Sequence, residues 1–195
     1  MILAVDTSLG TAVAVIDADG RTVAEAATTD PLGHAEVIGD LLAEVAGACS
    51  GITHVVAGMG PGPFTGLRIG IAAARTFALG RGIPVIPVPS HLAIAQTLLD
   101  DGAEGRFTVI TDARRREIAV SVFDGVDADG IPNLIEPTSL RKRDEEPVTP
   151  ALSASALARI GARALAAGRT LASTEPLYLR SPDVMQPGAP KRVSA

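Results

Sequence analysis

The chain lacks tryptophan and has one tyrosine, one cysteine and four phenylalanines in 195 residues. With so few aromatics, the interior has to be built from Ala, Val, Ile and Leu. No row of aromatic faces is available on which unpaired bases could stack. The single cysteine, Cys49, excludes an internal disulfide and fits a reducing compartment. Positive charge is also short: 17 Lys and Arg against 22 Asp and Glu leave a net charge of −5. That is the wrong sign for a chain that grips a polyanion alone. No apolar run reaches the ~18 residues of a membrane span. The opening, MILAVDTS, lacks the basic start of a secretion signal, so the expected location is the cytoplasm.

What is present reads as a mixed α/β protein. Apolar runs at Ile2 to Val5, Ala12 to Ile16 and from Thr22 are separated by Asp6-Thr7-Ser8 and by the turn Asp17-Ala18-Asp19-Gly20. Short turns between strands predict an antiparallel meander. From His34 to Cys49 the apolar residues fall at 38, 41, 42, 45 and 49, a helical stripe. A buried strand at 55–59, a helix at 64–79, a strand at 84–88 and a helix at 90–99, capped by Ser90, complete a first unit. The prolines of 84–88 place that strand at a sheet margin. Strands at 107–111 and 117–123 open a second block. A short strand near Leu134, a helix at 151–167 and a last strand at Leu177 to Leu179 follow. The expected organisation is a first lobe over 1–100, an abbreviated second lobe over 101–181 and a flexible tail over 182–195. The order β-β-β-α-β-α is that of the ribonuclease H-like or actin-like ATPase fold, with a mixed sheet in the first lobe and a shortened second lobe. Fold alone assigns no activity.

Five motifs could carry chemistry. Asp6, Thr7 and Ser8, at a hairpin tip, read either as a loop that holds a phosphate and its Mg²⁺ or as a turn satisfying its own backbone. Gly58 to Arg68 forms a Gly-rich strand-to-helix turn, but no Gly-Lys-Ser/Thr follows, and Pro61 and Pro63 remove two amides a phosphate loop would use. Gly66, Gly70, Ala74 and Ala78 recur every four residues and form a ridge with almost no side chain. Two helical glycines cost ~1 kcal/mol each relative to Ala, so the ridge should be closely packed, either against a partner's helix or on this chain's own sheet or first helix. His34-Ala35-Glu36-Val37-Ile38 is half of a His-x-x-x-His metal pair, with an alkane where the second ligand would stand. Asp112 to Glu117 carries Arg114, Arg115 and Arg116, either a phosphate contact or a solvated hairpin tip. Arg141 to Glu146 reads as a self-balancing solvated loop.

The segment GMGPGPFTGLRIGIAAARTFALGRGIPV, residues 58–85, resembles the signature of the TsaB (YeaZ) family. ILAVDTS, HAEVI, TDARRREI and PLYLRSPD match it too, in the expected order. The resemblance implies a relative of the catalytic TsaD proteins, which carry the His-x-x-x-His metal pair in their first helix. With His34 and Ile38 at that place, it implies no metal, no cofactor, and at most a vestigial phosphate loop in Asp6, Thr7 and Ser8. It further implies a non-catalytic scaffold that pairs with TsaD and the ATPase TsaE. That assembly places threonylcarbamoyl on the adenosine after the anticodon of tRNAs reading codons that begin with A. The implied scaffold meets tRNA only through the complex and self-pairs when alone.

The first two helices are the expected dimer surface. Ile38, Leu41, Val45, Phe64, Leu67 and Ile71 would form its apolar centre, with Gly70 and Ala74 on the close-packed ridge. Arg68 and Arg75 would flank it, opposite an acidic stripe of Glu36, Asp40 and Glu44. Two other classes compete. A free-standing kinase-like nucleotide enzyme would need a second phosphate loop, and the C-terminal half has no Gly-Gly pair. A metallopeptidase-like homologue would need the second histidine.

Overall fold

The computed structural model describes residues 1–30, 33–143 and 151–180. The expected tail from 182 onward and Asp144 to Glu146 of the charged run lie outside the described residues. Strands β1 (Ile2–Asp6), β2 (Thr11–Ile16) and β3 (Thr22–Thr28) form the antiparallel meander. Helix α1 (His34–Gly47) leads to β4 (His54–Gly58), which pairs parallel with β1. Helix α2 (Phe64–Arg81) leads to β5 (Val85–Val88), parallel to β4. The five strands lie in the order β3-β2-β1-β4-β5. Strand β5 thus takes the sheet margin, where the missing amide of Pro87 is tolerated.

This sheet is covered on both faces, which explains why β1 and β2 are buried at every position and apolar at all but Asp6 and Thr11. Leu3, Val5, Val13 and Val15 point to the side of α1 and α2, where they meet Ile38, Val45, Leu67 and Ile71. Ile2, Ala4, Ala12, Ala14 and Ile16 point the other way, into a core with Leu157 and Ile160. Those two residues belong to α4 (Ala154–Ala166), which crosses back under the first sheet. A Cβ on Gly161 of α4 would overlap the Val56 side chain, so helix and sheet approach as closely as backbone allows.

The second block holds an antiparallel sheet of β6 (Arg106–Asp112), β7 (Glu117–Val126) and β8 (Pro132–Lys142). Helix α3 (Ser90–Asp100) connects it to the first sheet. Val109, Phe123 and Ile131 join α3 and α4 in the same core that closes the underside of the first sheet. Strand β8 is 11 residues long rather than a short piece near Leu134, and Arg141 and Lys142 are part of it rather than of a loop. Leu177 to Leu179 form no strand; Tyr178 instead packs against Phe64 and Arg68 of α2. The tetrapeptide Asp-Ala-Asp-Gly occurs at both 17–20 and 127–130. In each copy the first Asp accepts from the amides two and four residues on, and the glycine takes positive φ. The β2–β3 and β7–β8 hairpins are therefore built alike, one in each sheet.

Candidate functional site

The Asp6-Thr7-Ser8 loop is closed. Asp6 is 1% exposed. Its Oδ1 accepts from the Ser8 amide at 2.7 Å and the Ser8 hydroxyl at 2.6 Å. Its Oδ2 accepts from the Ser90 hydroxyl at 2.5 Å, and Ser90 Oγ in turn accepts from the Gly60 amide. Ser90 is thus no helix cap: Pro89 precedes α3, and the serine hydroxyl is spent on this knot. A Cβ on Gly58 would overlap the Asp6 carboxyl, which leaves no room beside it for an ion. Burial pushes the Asp6 carboxyl above its usual range, against the pull of the Ser8 and Ser90 hydrogen bonds. Thr7 donates to Gly66 O at 2.7 Å. These hydrogen bonds are those of a turn that satisfies its own polar groups.

The Gly-Pro turn and the ridge of α2 close on the same knot. A Cβ on Gly62 would press on Ser8, and one on Gly70 would overlap Thr7 Oγ1. One on Gly66 would sit 2.9 Å from His34 Nε2 and from Thr7 O. Gly70 and Ala74 therefore face the chain's own first hairpin and sheet, and the self-contact reading of the ridge is the right one. Ile38, Val45, Leu67 and Ile71 are buried in the same core. These six cannot line a docking surface, because their side chains or backbones are already used against β1, β2 and β4. Leu41, Phe64, Arg68 and Arg75 do reach the outer side. Arg68 stacks over Phe64 at 3.8 Å and donates to Tyr178 Oη at 2.9 Å, while Arg75 donates to Thr174 O. The irregular segment 171–180 thus straps the basic flank of α2.

His34 is buried with Nδ1 2.9 Å from Thr11 Oγ1, and Ile38 stands one turn on, 8% exposed and packed inward. The described residues contain no group of three His, Cys, Asp or Glu suited to a metal ion. His91, which showed no ligand spacing in sequence, ties α3 to the second sheet. It lies 2.7 Å from Ser121 Oγ and 2.9 Å from Thr111 Oγ1. Burial pulls its pKa down to about 4, so it is a neutral structural histidine at pH 7.

Between the two sheets opens a cleft of about 700 Å³. His34, Phe64, Thr65 and Gly66 line one wall, and Asp112, Arg114 and Arg115 the other. Arg114, Arg115 and Arg116 all adopt positive φ, at 61°, 54° and 59°. The three arginines are thus the exposed, tightly coiled tip of the β6–β7 hairpin, and Arg114 and Arg115 line the cleft as well.

Comparison with known proteins places this architecture. The family model described as TsaD, tRNA N6-adenosine threonylcarbamoyltransferase, matches residues 34–131, half of the chain. The tRNA threonylcarbamoyladenosine biosynthesis protein TsaB of Escherichia coli is 32% identical over 121 residues, covering 60% of this chain and 52% of that protein. Its Bacillus subtilis counterpart is 30% identical over 128 residues, 63% of this chain and 54% of the relative. The chain belongs to the TsaB/YeaZ branch of the TsaD-type family. An uncharacterized protein of Mycobacterium tuberculosis (strain ATCC 25618 / H37Rv) is 41% identical over 123 residues, 60% of this chain and 56% of its own. The chain spans about half the length of these curated relatives. YeaZ from Pseudomonas aeruginosa superposes with a TM-score of 0.74 at 24% identity, over 91% of this chain and 99% of that one. That likeness establishes the actin-like ATPase fold of the TsaB/YeaZ branch. Among the described residues, no helix is long and apolar enough to cross a membrane.

Outside the knot, this member of the family exposes a second small-residue ridge that the spacing argument passed over. Ala35, Gly39, Ala43 and Gly47 recur every four residues along α1, and all four are exposed. No described atom lies within 4 Å of where a Cβ would stand on Gly39 or Gly47. Glu36, Asp40 and Glu44 run beside this ridge, also exposed.

Proposed function

We propose that this chain is a non-catalytic subunit for forming threonylcarbamoyladenosine in tRNA, and that it pairs with a TsaD-type catalytic subunit, joined by a TsaE-type ATPase. The relatives named as TsaB biosynthesis proteins support the pathway. The observation that carries the subunit role is the way α1 and its surroundings are built. The place of a second metal-binding histidine holds Ile38, sunk into the core, and the loop around Asp6 is filled by Ser8, Ser90 and Gly58. Meanwhile α1 carries exposed glycines, Gly39 and Gly47, beside which no described residue lies within 4 Å of a Cβ.

A helical glycine costs roughly 1 kcal/mol relative to alanine. Gly66 and Gly70 have a reason inside the molecule, because Thr7 and His34 occupy the space of their side chains. Gly39 has none. A second helix crossing α1 at Gly39, Ala43 and Gly47 supplies the reason, since small residues let two helix backbones approach. The partner surface is therefore the outer side of α1, rimmed by Glu36, Asp40 and Glu44 and continued by Phe64 and Leu79 of α2, which is 83% exposed. In isolation the same face pairs with a second copy. The subunit works in the cytoplasm and meets tRNA only through the assembly.

Reconstitution tests the reading. The purified chain alone should transfer no threonylcarbamoyl to tRNA, the TsaD-type and TsaE-type proteins without it should be nearly inactive, and the mixture should modify tRNA, measured by nucleoside mass spectrometry. Turnover by the chain alone, or full activity of the others without it, would sink the proposal.

A further inference from the structure

Helices α2 and α4, on opposite faces of the first sheet, begin in opposite ways. At α4, the Ser153 hydroxyl accepts from the Ala156 amide at 3.1 Å, and the Glu25 carboxylate, reaching across from β3, accepts from the Ser155 amide at 3.2 Å. The free amides of that helix end are thus met by a hydroxyl and a negative charge. Helix α2 is longer, 18 residues, yet no side chain caps it and its first turn has no acidic residue. Leu67 is the first residue whose amide finds a helical carbonyl, that of Pro63. The amides of Phe64, Thr65 and Gly66 are left at the end of the helix that lines the cleft.

A second, independent feature points into the same space. His34 lines the cleft and is 3% exposed, with Nδ1 beside Thr11 Oγ1. Its Nε2 has no partner among the described residues. A side chain at position 66 would stand 2.9 Å from that nitrogen; glycine leaves it uncovered. In the tautomer in which the Thr11 hydroxyl donates to Nδ1, Nε2 carries the ring proton and is a donor. Across the cleft, the guanidinium of Arg114 has no partner among the described residues, and its backbone is held left-handed at the rim. The acidic residue on that wall, Asp112, is engaged by the Arg114 amide at 3.1 Å and by Arg143 at 3.3 Å. Arg180 is already paired with Glu117.

We propose that this cleft is a binding site for a terminal phosphate, a small dianionic phosphate monoester or inorganic phosphate. Phe64, Thr65 and Gly66 with their free amides, His34 with its Nε2 and Arg114 all line it. Donors arranged in this way suit a tetrahedral oxyanion at the positive end of a helix. A cation would face that same end, and an apolar ligand would leave the amides and Nε2 unsatisfied. The sealed Asp6 carboxyl takes no part.

The test is a titration of the intact chain with inorganic phosphate at constant ionic strength, followed through its amide NMR signals. Saturable shifts are expected at Phe64, Thr65 and Gly66. Dimethyl phosphate, a singly charged diester that stands for a polynucleotide backbone, should bind at least about fivefold more weakly. Arg114→Ala should weaken phosphate by a similar factor, while Arg141→Ala, on an exposed strand end, should leave it unchanged. Thr65→Asp supplies its own carboxylate to the helix end, so it should stay folded and lose the saturable response. Absence of saturable shifts, undiminished binding by the Thr65→Asp or Arg114→Ala chains, or equal binding of the diester would each overturn the assignment.

Discussion

Helices α1 and α2 lie on the same face of the first sheet and both carry small residues every four positions, yet the two ridges face opposite ways. On α2, Gly66 and Gly70 press on Thr7 and His34 and Ala74 is fully buried. On α1, Gly39, Ala43 and Gly47 look outward with open space above the glycines. The same spacing thus serves two purposes. One ridge lets a helix settle on the chain's own hairpin, and the other keeps a surface low. Spacing identifies a ridge; only the large residues between its members say which way it points. In α2, Leu67 and Ile71 follow Gly66 and Gly70 directly and turn to the core with them. In α1, Ile38 and Val45 lie on the face away from Gly39 and Gly47.

The largest effect that tests this contrast is expected from Gly70→Leu. Even a Cβ at position 70 overlaps Thr7 Oγ1, and the Thr7 hydroxyl holds Gly66 O. A leucine there should cost about 3 kcal/mol or more by overpacking, read as a lowered urea midpoint or as failure to fold. A Gly70→Leu chain as stable as the parent would mean that α2 does not sit on the hairpin as described.

Much of the architecture was legible in the sequence because its physical causes are local. The apolar runs and turns of β1 to β3, the helical stripe of α1 and the Gly-Pro turn before α2 each follow from neighbouring residues. The errors came where distant residues decide. Ser90 is a good helix cap by type, yet its hydroxyl goes to Asp6, 84 positions away. Strand β8 contains Pro132 and Pro137 and ends in charge, so its length depends on pairing with β7 rather than on its own composition. Leu177 to Leu179 have strand-like residues but find α2 and Met59 instead of a sheet edge. For the cleft, the arginine run was visible, but nothing local placed it opposite His34 and the start of α2. A usable signal was passed over in the repeated Asp-Ala-Asp-Gly, which marks equivalent hairpins in the two halves.

A middle-sized effect should separate the two ridges by binding rather than by folding. Gly39→Leu adds a side chain where the free molecule has empty space, so the chain should fold at least as well as the parent. Against a TsaD-type partner helix, the same side chain should hold the backbones apart. An overpacking cost of roughly 1–3 kcal/mol corresponds to a loss of affinity of about 5- to 150-fold. Isothermal titration with the partner subunit measures it directly. If the folded Gly39→Leu chain binds the partner as tightly as the parent, α1 is not the docking helix.

The smallest effect is the most discriminating, because it has the opposite sign to most substitutions. Gly39 lies in mid-helix, with helical backbone angles that suit any residue, and no described atom lies within 4 Å of the position a methyl group would take. Alanine at this place reduces the freedom of the unfolded chain and clashes with nothing. Gly39→Ala should therefore stabilise the isolated chain by about 0.5–1 kcal/mol, measured by urea unfolding of monomer at low protein concentration. The dilution matters, since self-pairing through α1 would be weakened by the same methyl group and would hide the gain. A sequence that keeps a destabilising glycine on an open surface is under a constraint that the folded monomer does not contain. If Gly39→Ala instead destabilises the dilute monomer, the glycine is answering a need within the chain, and the contrast between the two ridges fails at its outer half.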